Sequence, residues 1–217
     1  MSSLEDLSTA AETEWLEKWT AGPTRSLGAL IAPGTAAPDL VLPDHAGQPV
    51  RLSGLWSEAP ALLMFWRHFG CTCGVERAKR LAAEHDAYAA EGLNPIIISQ
   101  GEPERTAAYR AKHRIEVPIL CDPDQSAYDA YGVGQWSVEQ VLFDAPTEYW
   151  SHPHQLGVEF QAGRREQGRP PVDDPWLAAA EFVVGPDGII RLSYAYQYCE
   201  DYPDPRVLTT AARLSNS

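Results

Sequence analysis

Two cysteines separated by one residue, Cys71 and Cys73, are the residues of this chain most suited to chemistry. They follow an apolar run at residues 61–66 and precede apolar residues at helical spacing from Val75 onward. This pattern predicts a buried strand, a corner and an amphipathic helix, with Cys71 at the helix start. The unpaired N–H groups and the dipole of a helix start favour an anion, which for a cysteine is the reactive thiolate.

Arg67 lies four residues before Cys71, at the end of the predicted strand, and is placed to add positive charge. We therefore predict that Cys71 is a nucleophile; the alternative is an inert buried cysteine. Residues two apart on a regular helix point about 200° apart, so a disulfide between Cys71 and Cys73 requires the first turn to unwind. Gly74 makes such unwinding easier. Otherwise Cys73 faces the core as a small apolar residue.

The other two cysteines are weaker candidates. Cys121 ends a predicted strand, whereas Cys199 lies in a polar loop after the last predicted strand, where packing gives no reason for a cysteine. Cys199 is therefore the better second partner for Cys71. His68, together with Cys71 and Cys73, could instead bind a soft metal. Since the sequence carries no Gly-rich phosphate loop and no Ser-His-Asp set, we expect neither a cofactor nor a resident metal.

Composition excludes several classes of protein. The formal net charge of −13 over 217 residues, without a run of Lys or Arg, argues against nucleic-acid binding. No stretch approaches the roughly 20 apolar residues of a membrane span, so we expect no membrane partner. The first residues lack the basic and apolar regions of an export signal, which favours a reducing, cytoplasmic location. Four cysteines there are more typical of redox, metal or core roles than of a disulfide framework.

The predicted elements give an α/β fold. Residues 1–35 form an N-terminal helical extension, with a helix over 2–20 whose Trp15 and Trp19 we expect to pack on the rest of the chain. Residues 36–217 then read as a hairpin, three β–α units, a final β-hairpin and a helix, with an insertion at about 135–175. Parallel strands joined by helices, with an antiparallel pair at the end, predict one mixed sheet between helices.

Three motifs within residues 36–198 carry a family resemblance. APDLVLPDHAGQPVRLSGL at 37–55, PILCDPD at 118–124 followed by YGV at 131–133, and EFVVGPDGII at 181–190 occur in order around the cysteine corner. Together they resemble the peroxiredoxin-like proteins (redoxin, AhpC/TSA type) of the thioredoxin-fold superfamily. The resemblance implies a thioredoxin-like α/β/α sandwich with a central mixed sheet.

The cysteine corner resembles a narrower group. RHFGC at 67–71 is similar to the R-x-x-G-C-x-x-C of the peroxiredoxin-like-2 group, in which the second cysteine would fall at Gly74 rather than at Cys73. Met64 and His68 stand where typical peroxiredoxins carry a proline and a threonine. The corner therefore departs from the usual peroxidase frame.

The resemblance implies a thiol-dependent peroxidase in which Cys71 attacks a peroxide and becomes a sulfenic acid. Cys73, or another thiol, would resolve it, and a thioredoxin-like protein or a low-molecular-weight thiol would reduce the product. One alternative is a protein dithiol–disulfide oxidoreductase acting through Cys71 and Cys73. Another is a thioredoxin-fold protein that binds a metal or a partner without turnover. A homodimer is one option for its assembly.

Overall fold

A computed structural model describes residues 4–26, 28–143, 151–166 and 173–215. The described helices are α1 (Leu4–Ala21), α2 (Ser53–Trp56), α3 (Thr72–Ala90), α4 (Pro103–His113), α5 (Ser126–Ala130), α6 (Val138–Val141), α7 (Pro153–Glu166) and α8 (Pro205–Arg213). The described strands are β1 (Val41–Pro43), β2 (Pro49–Arg51), β3 (Ala61–Phe65), β4 (Asn94–Ser99), β5 (Ile119–Cys121), β6 (Ala180–Val184) and β7 (Ile190–Ala195). The predicted order of elements is therefore confirmed, with boundaries shifted by one or two residues at most strands.

The central sheet has five strands in the order β5-β4-β3-β6-β7. Strands β3, β4 and β5 are parallel, whereas β6 is antiparallel to both β3 and β7. Parallel neighbours need a long crossover, which helices α3 and α4 provide. Strand β3 is central and buried along its whole length, as a continuous apolar run requires. The mixed sheet predicted from the sequence is thus confirmed.

Two apolar cores cover the sheet, one on each face. Because successive side chains of a strand point to opposite faces, β3 contributes to both. Leu62 and Met64 join the core under α3 and α8, which also includes Leu81 and Leu208. The other face is covered by α2, α5 and the β1–β2 hairpin, through residues that include Leu42, Trp56, Leu63, Phe65, Tyr128, Tyr131, Trp136 and Leu177.

Helix α1 packs on the segment that precedes β6. The Trp15 indole stacks on Phe160 of α7 at 5.1 Å between ring centroids, and Trp19 stacks on Trp176 at 4.7 Å. The Trp176 indole N–H also donates to the Lys18 carbonyl at 2.8 Å. The expected packing of both tryptophans on the rest of the chain is confirmed, while the division at residue 35 remains a prediction.

The predicted insertion contains α6 and α7, and its stretches 144–150 and 167–172 lie outside the described residues. Helix α6 begins with a capping box in which Ser137 and Gln140 exchange side-chain and backbone hydrogen bonds. None of the described helices is both long enough and apolar enough to span a bilayer.

Candidate thiol active site

Cys71 lies between strand β3 and helix α3. It is the N-cap residue of α3, with an extended backbone (φ −77°, ψ 130°), and its N–H donates to the His68 carbonyl at 3.0 Å. The corner is fixed to the sheet, because the Trp66 N–H donates to the Ile98 carbonyl at 2.9 Å and Gln100 donates to the Arg67 carbonyl at 3.1 Å. The predicted position of Cys71 at a strand–helix junction is confirmed.

The sulfur atoms of Cys71 and Cys73 are bonded as a disulfide in this structure, with Cα atoms 5.3 Å apart. The objection from helix geometry does not apply, because α3 begins only at Thr72 and Cys71 is not helical. The helix therefore need not unwind, and the expectation that Gly74 serves this purpose is wrong. Gly74 instead allows close packing: a Cβ there would lie 3.1 Å from the Trp66 ring.

The two bonded cysteines differ in exposure. Cys73 is only 7% exposed, whereas Cys71 is partly exposed at the mouth of the corner. A small cavity below them is lined by residues that include Cys73, Arg77, Glu181, Tyr196, Cys199 and Tyr202. Of the two bonded cysteines, Cys71 is therefore the one that an external reactant can reach first.

Arg67 is buried and held against these sulfurs. Its Nε donates to the Leu177 carbonyl at 3.2 Å, its Nη2 donates to the Pro175 carbonyl, and its guanidinium lies 4.9 Å from the Trp136 ring centroid. Its Nη1 faces Cys71 Sγ at 3.7 Å. Because Arg67 is only 5% exposed and rigidly held, its charge is directed at the cysteine as the sequence predicted.

Cys199 joins the site from the loop after β7. Within the described residues, the Sγ atoms of Cys71, Cys73 and Cys199 all lie within 4.8 Å of one another. Arg67 Nη1 lies 3.0 Å from Cys199 Sγ. His68, the alternative soft-metal ligand beside Cys71 and Cys73, is not part of this sulfur cluster, and its Nδ1 accepts from the Gly70 N–H at 3.1 Å. The structure thus brings three cysteine sulfurs together rather than two sulfurs and an imidazole.

A buried ion pair forms the floor of the cavity. Arg77, on the first turns of α3, binds Glu181 of β6 through two hydrogen bonds of 2.7 and 3.1 Å, with both side chains at most 2% exposed. Arg77 also donates to Glu84 at 2.8 Å, and Tyr196 donates to Glu181. Burial alone would lower the pKa of Arg77, but the facing carboxylate outweighs burial and raises that pKa overall.

Cys121 lies away from these groups, at the end of β5, and is fully buried. Burial is the main cause that raises the pKa of its thiol. A neutral thiol in an apolar environment is a poor nucleophile, so the interpretation of Cys121 as a core residue is supported.

The profile of the AhpC/TSA family matches residues 33–193, most of the chain. The chain belongs to the AhpC/TSA family. It is 32% identical over 189 residues to "Thioredoxin-like protein AAED1, chloroplastic" of Arabidopsis thaliana, which covers 84% of this chain and 73% of that protein. It is 29% identical over 106 residues to "Thiol-disulfide oxidoreductase ResA" of Geobacillus thermodenitrificans, covering 48% of this chain and 59% of that protein.

A solved structure shares the fold of this chain. The crystal structure of peroxidoxin BcpB from Mycobacterium tuberculosis superposes with a TM-score of 0.60 at 17% identity, covering 85% of this chain and 97% of that one. At this identity the likeness concerns the fold alone. The AhpC/TSA chain is therefore a redoxin of the thioredoxin fold, as its motifs implied, whereas the narrower resemblance to the peroxiredoxin-like-2 group remains a prediction.

Several residues around the cysteines were not found from the sequence. Trp136, Pro175 and Leu177 hold Arg67 from distant parts of the sequence, and no local motif marks them. The Arg77–Glu181 pair left one visible signal, because Glu181 is a charged residue inside an otherwise apolar strand.

Proposed function

We propose that this AhpC/TSA protein is a thiol peroxidase in which Cys71 is the peroxidatic nucleophile and Cys73 the resolving thiol. The observation that carries the proposal is the arrangement of three groups: Cys71 at the helix start, Cys73 within disulfide reach, and the buried guanidinium of Arg67 facing Cys71 Sγ at 3.7 Å. A guanidinium and a helix start both stabilise a thiolate, which is the species that attacks a peroxide.

The proposed cycle balances in three steps. The Cys71 thiolate attacks one peroxide oxygen, the O–O bond breaks, and the sulfur becomes a sulfenic acid while the second oxygen leaves as alkoxide or hydroxide and takes a proton. The Cys73 thiol then condenses with the sulfenic acid, forming the Cys71–Cys73 disulfide and one water. A dithiol reductant finally takes over the disulfide by two exchange reactions and restores both thiols.

Arg67 has a defined role in the first step. Its two carbonyl contacts and the Trp136 ring fix the guanidinium, so that no side-chain rotation is needed when the thiolate forms. A fixed charge that is already oriented stabilises the thiolate without reorganisation cost. Arg67 therefore acts by electrostatic stabilisation and not as a proton carrier, since a guanidinium stays protonated.

The test is peroxide consumption with dithiothreitol or a thioredoxin system as reductant. Cys71→Ser should abolish consumption, Cys73→Ser should keep the first oxidation but slow turnover, and Cys121→Ser should behave like the unmodified protein. The Cys121 variant is the matched control, because it removes a thiol that lies outside the site. Full activity in Cys71→Ser would refute the proposal.

A second candidate is a protein dithiol–disulfide oxidoreductase that uses the same two cysteines. The unequal exposure of Cys71 and Cys73 favours it, because one reachable and one buried sulfur suit attack by an external thiol followed by internal release. Reduction of insulin disulfides, compared with peroxide consumption on the same preparation, separates the two. Rapid insulin reduction with negligible peroxide consumption would favour this second activity.

The physiological reductant belongs to the same proposal. A thioredoxin-like protein or a low-molecular-weight thiol would complete the cycle, and both are present in a reducing cytoplasm. A cytoplasmic location and a homodimer remain predictions. Comparing turnover with a thioredoxin system and with glutathione distinguishes the two classes of reductant.

A further inference from the structure

The proposed peroxidase cycle uses two sulfurs of a cluster that contains three. Cys199 Sγ lies within 4.8 Å of both Cys71 Sγ and Cys73 Sγ, and it is the sulfur nearest to the Arg67 guanidinium, at 3.0 Å against 3.7 Å for Cys71. Cys199 is unpaired and partly exposed. The cluster therefore places a free thiol beside the disulfide.

The loop that carries Cys199 is tied to the cysteine corner. The Tyr202 hydroxyl donates to the Cys73 carbonyl at 3.0 Å, which links this loop to the first turn of α3. Asp201 accepts from the Gln197 N–H at 2.9 Å and from the Tyr194 hydroxyl at 2.8 Å, which fixes the loop to β7. Three hydrogen bonds therefore hold the loop so that Cys199 lies next to the disulfide.

We propose that Cys199 is a third redox cysteine, which takes the disulfide over from Cys73. The Cys199 thiolate attacks Cys71 Sγ, the Cys71–Cys73 bond breaks, a Cys71–Cys199 bond forms, and the electron pair leaves with the Cys73 sulfur. The step exchanges one disulfide for another, so it needs no outside oxidant or reductant. It rests on the proposed function only in that Cys71 must first be oxidised.

Arg67 contacts the free thiol of the cluster. Arg67 is buried, and within the described part of the chain no ion pair joins it to a carboxylate. Its Nη1 faces both the Cys71 and the Cys199 sulfur. With Cys71 in the disulfide, Cys199 is the one of these two residues that carries a free thiol. Arg67 therefore holds that thiol beside the disulfide for the next step.

The choice of leaving group follows from the helix. Cys73 is the second residue of α3, where unpaired backbone N–H groups stabilise the thiolate that departs. The exchange also changes which sulfurs are reachable: Cys73 is 7% exposed, whereas Cys71 and Cys199 are both partly exposed. The product is a disulfide that a dithiol protein can attack at either sulfur.

Peptide mapping under non-reducing conditions tests this exchange. Trypsin leaves Cys71 and Cys73 together in the peptide 68–77, whereas Cys199 lies in the peptide 192–206. A Cys71–Cys73 disulfide stays within one peptide, and a Cys71–Cys199 disulfide joins two. The protein is oxidised with one equivalent of hydrogen peroxide, quenched in acid, and its remaining thiols are blocked with N-ethylmaleimide before digestion.

We expect the joined peptides in the unmodified protein alongside the internal disulfide. In Cys73→Ser, which has no disulfide to exchange, we expect the joined peptides from condensation of the Cys71 sulfenic acid with the Cys199 thiol, which would show that Cys199 reaches Cys71. Cys199→Ala should lose the joined peptides and keep the internal disulfide, and Cys121→Ser should match the unmodified protein. Joined peptides that never form in the oxidised unmodified protein, or that form without any loss of the internal disulfide, would overturn the exchange. Circular dichroism of each variant verifies that it is folded.

A parallel arm with diamide, which oxidises dithiols directly, separates this inference from the peroxidase proposal. Joined peptides after diamide but no reaction with peroxide would support the exchange and refute the peroxidase. Peroxide consumption without joined peptides in either arm would leave the peroxidase standing and overturn the role of Cys199.

Discussion

Replacing Arg77 by methionine removes the cation of the buried Arg77–Glu181 ion pair below the cysteines. The guanidinium makes two hydrogen bonds to Glu181, one to Glu84 at 2.8 Å and one to the Tyr88 hydroxyl at 3.3 Å. Methionine has a similar length but no charge, so the packing changes little while Glu181 loses its cation. Arg77→Met therefore isolates the electrostatic part of the interaction.

The expected cost follows from burial. Arg77 is 2% and Glu181 is 1% exposed, so the carboxylate that stays behind cannot be hydrated. Removing one partner of such a pair costs about 3–5 kcal/mol in the free energy of unfolding. Because a domain of this kind has a total stability of roughly 5–15 kcal/mol, the loss is a large fraction of it.

The same helix offers a matched control. Lys79 pairs with Glu76 at 2.6 Å on the outer face of α3, where the two side chains are 66% and 49% exposed. Lys79→Met breaks that pair and should cost no more than about 1 kcal/mol. Urea unfolding, followed by tryptophan fluorescence and circular dichroism under reducing conditions, measures both variants.

A double variant sharpens the interpretation. Arg77→Met combined with Glu181→Leu removes both charges, so it should be less destabilised than the sum of its single variants. If Arg77→Met loses no more stability than Lys79→Met, the buried Arg77–Glu181 pair contributes no more to the free energy of unfolding than an exposed ion pair. That result would refute the reasoning.

Two further predictions concern ionisation. Burial raises the pKa of the Cys121 thiol, so in the native reduced protein at pH 8 Cys121 should be alkylated far more slowly than Cys199. Mass spectrometry of iodoacetamide-treated protein measures both rates, and equal rates would contradict this expectation. Burial is also the main cause that raises the pKa of Tyr194 and of Tyr202 to about 12, above the value of about 10 in an unfolded chain. The contribution of these two tyrosines to the free energy of unfolding is complete below pH ~10. It is lost as the pH rises towards 12, because their hydroxyls ionise at a lower pH in the unfolded chain than in the folded protein. The urea midpoint should fall over that interval, and a constant midpoint would argue against it.

The fold could be predicted because its signals are local. The continuous apolar run of β3, the Pro-Asp-Gly turn before β7 and the helical spacing after Cys71 each define one element within a few residues. The order of these elements then leaves few topologies. The end of β3 and the cysteine corner are contiguous in the sequence, which is why Arg67, Cys71 and Cys73 could be singled out together.

The rest of the site depends on contacts across the chain. Cys199 is 132 residues from Arg67, and the Leu177 carbonyl that holds the same guanidinium is 110 residues away. Sequence could mark Cys199 as unusual but could not place it beside a particular side chain. The start of α3 was equally beyond reach, because helix boundaries depend on cap geometry, and a shift of one residue there decides whether Cys71 and Cys73 can meet.

The stacking of Trp19 on Trp176 connects the N-terminal helix to the thiol chemistry. Trp176 stands between Pro175 and Leu177, the two residues whose carbonyls hold Arg67. Any event that detached α1, such as proteolysis or capture by another protein, would free Trp176 and loosen the guanidinium's support. If that loosening changes how strongly Arg67 interacts with the sulfurs, thermodynamic linkage requires oxidation of the sulfurs to change the affinity of α1 for the rest of the chain by the same factor. The stacked indoles of Trp19 and Trp176 lie at this contact, so tryptophan fluorescence is the signal in which such a linkage would be measured.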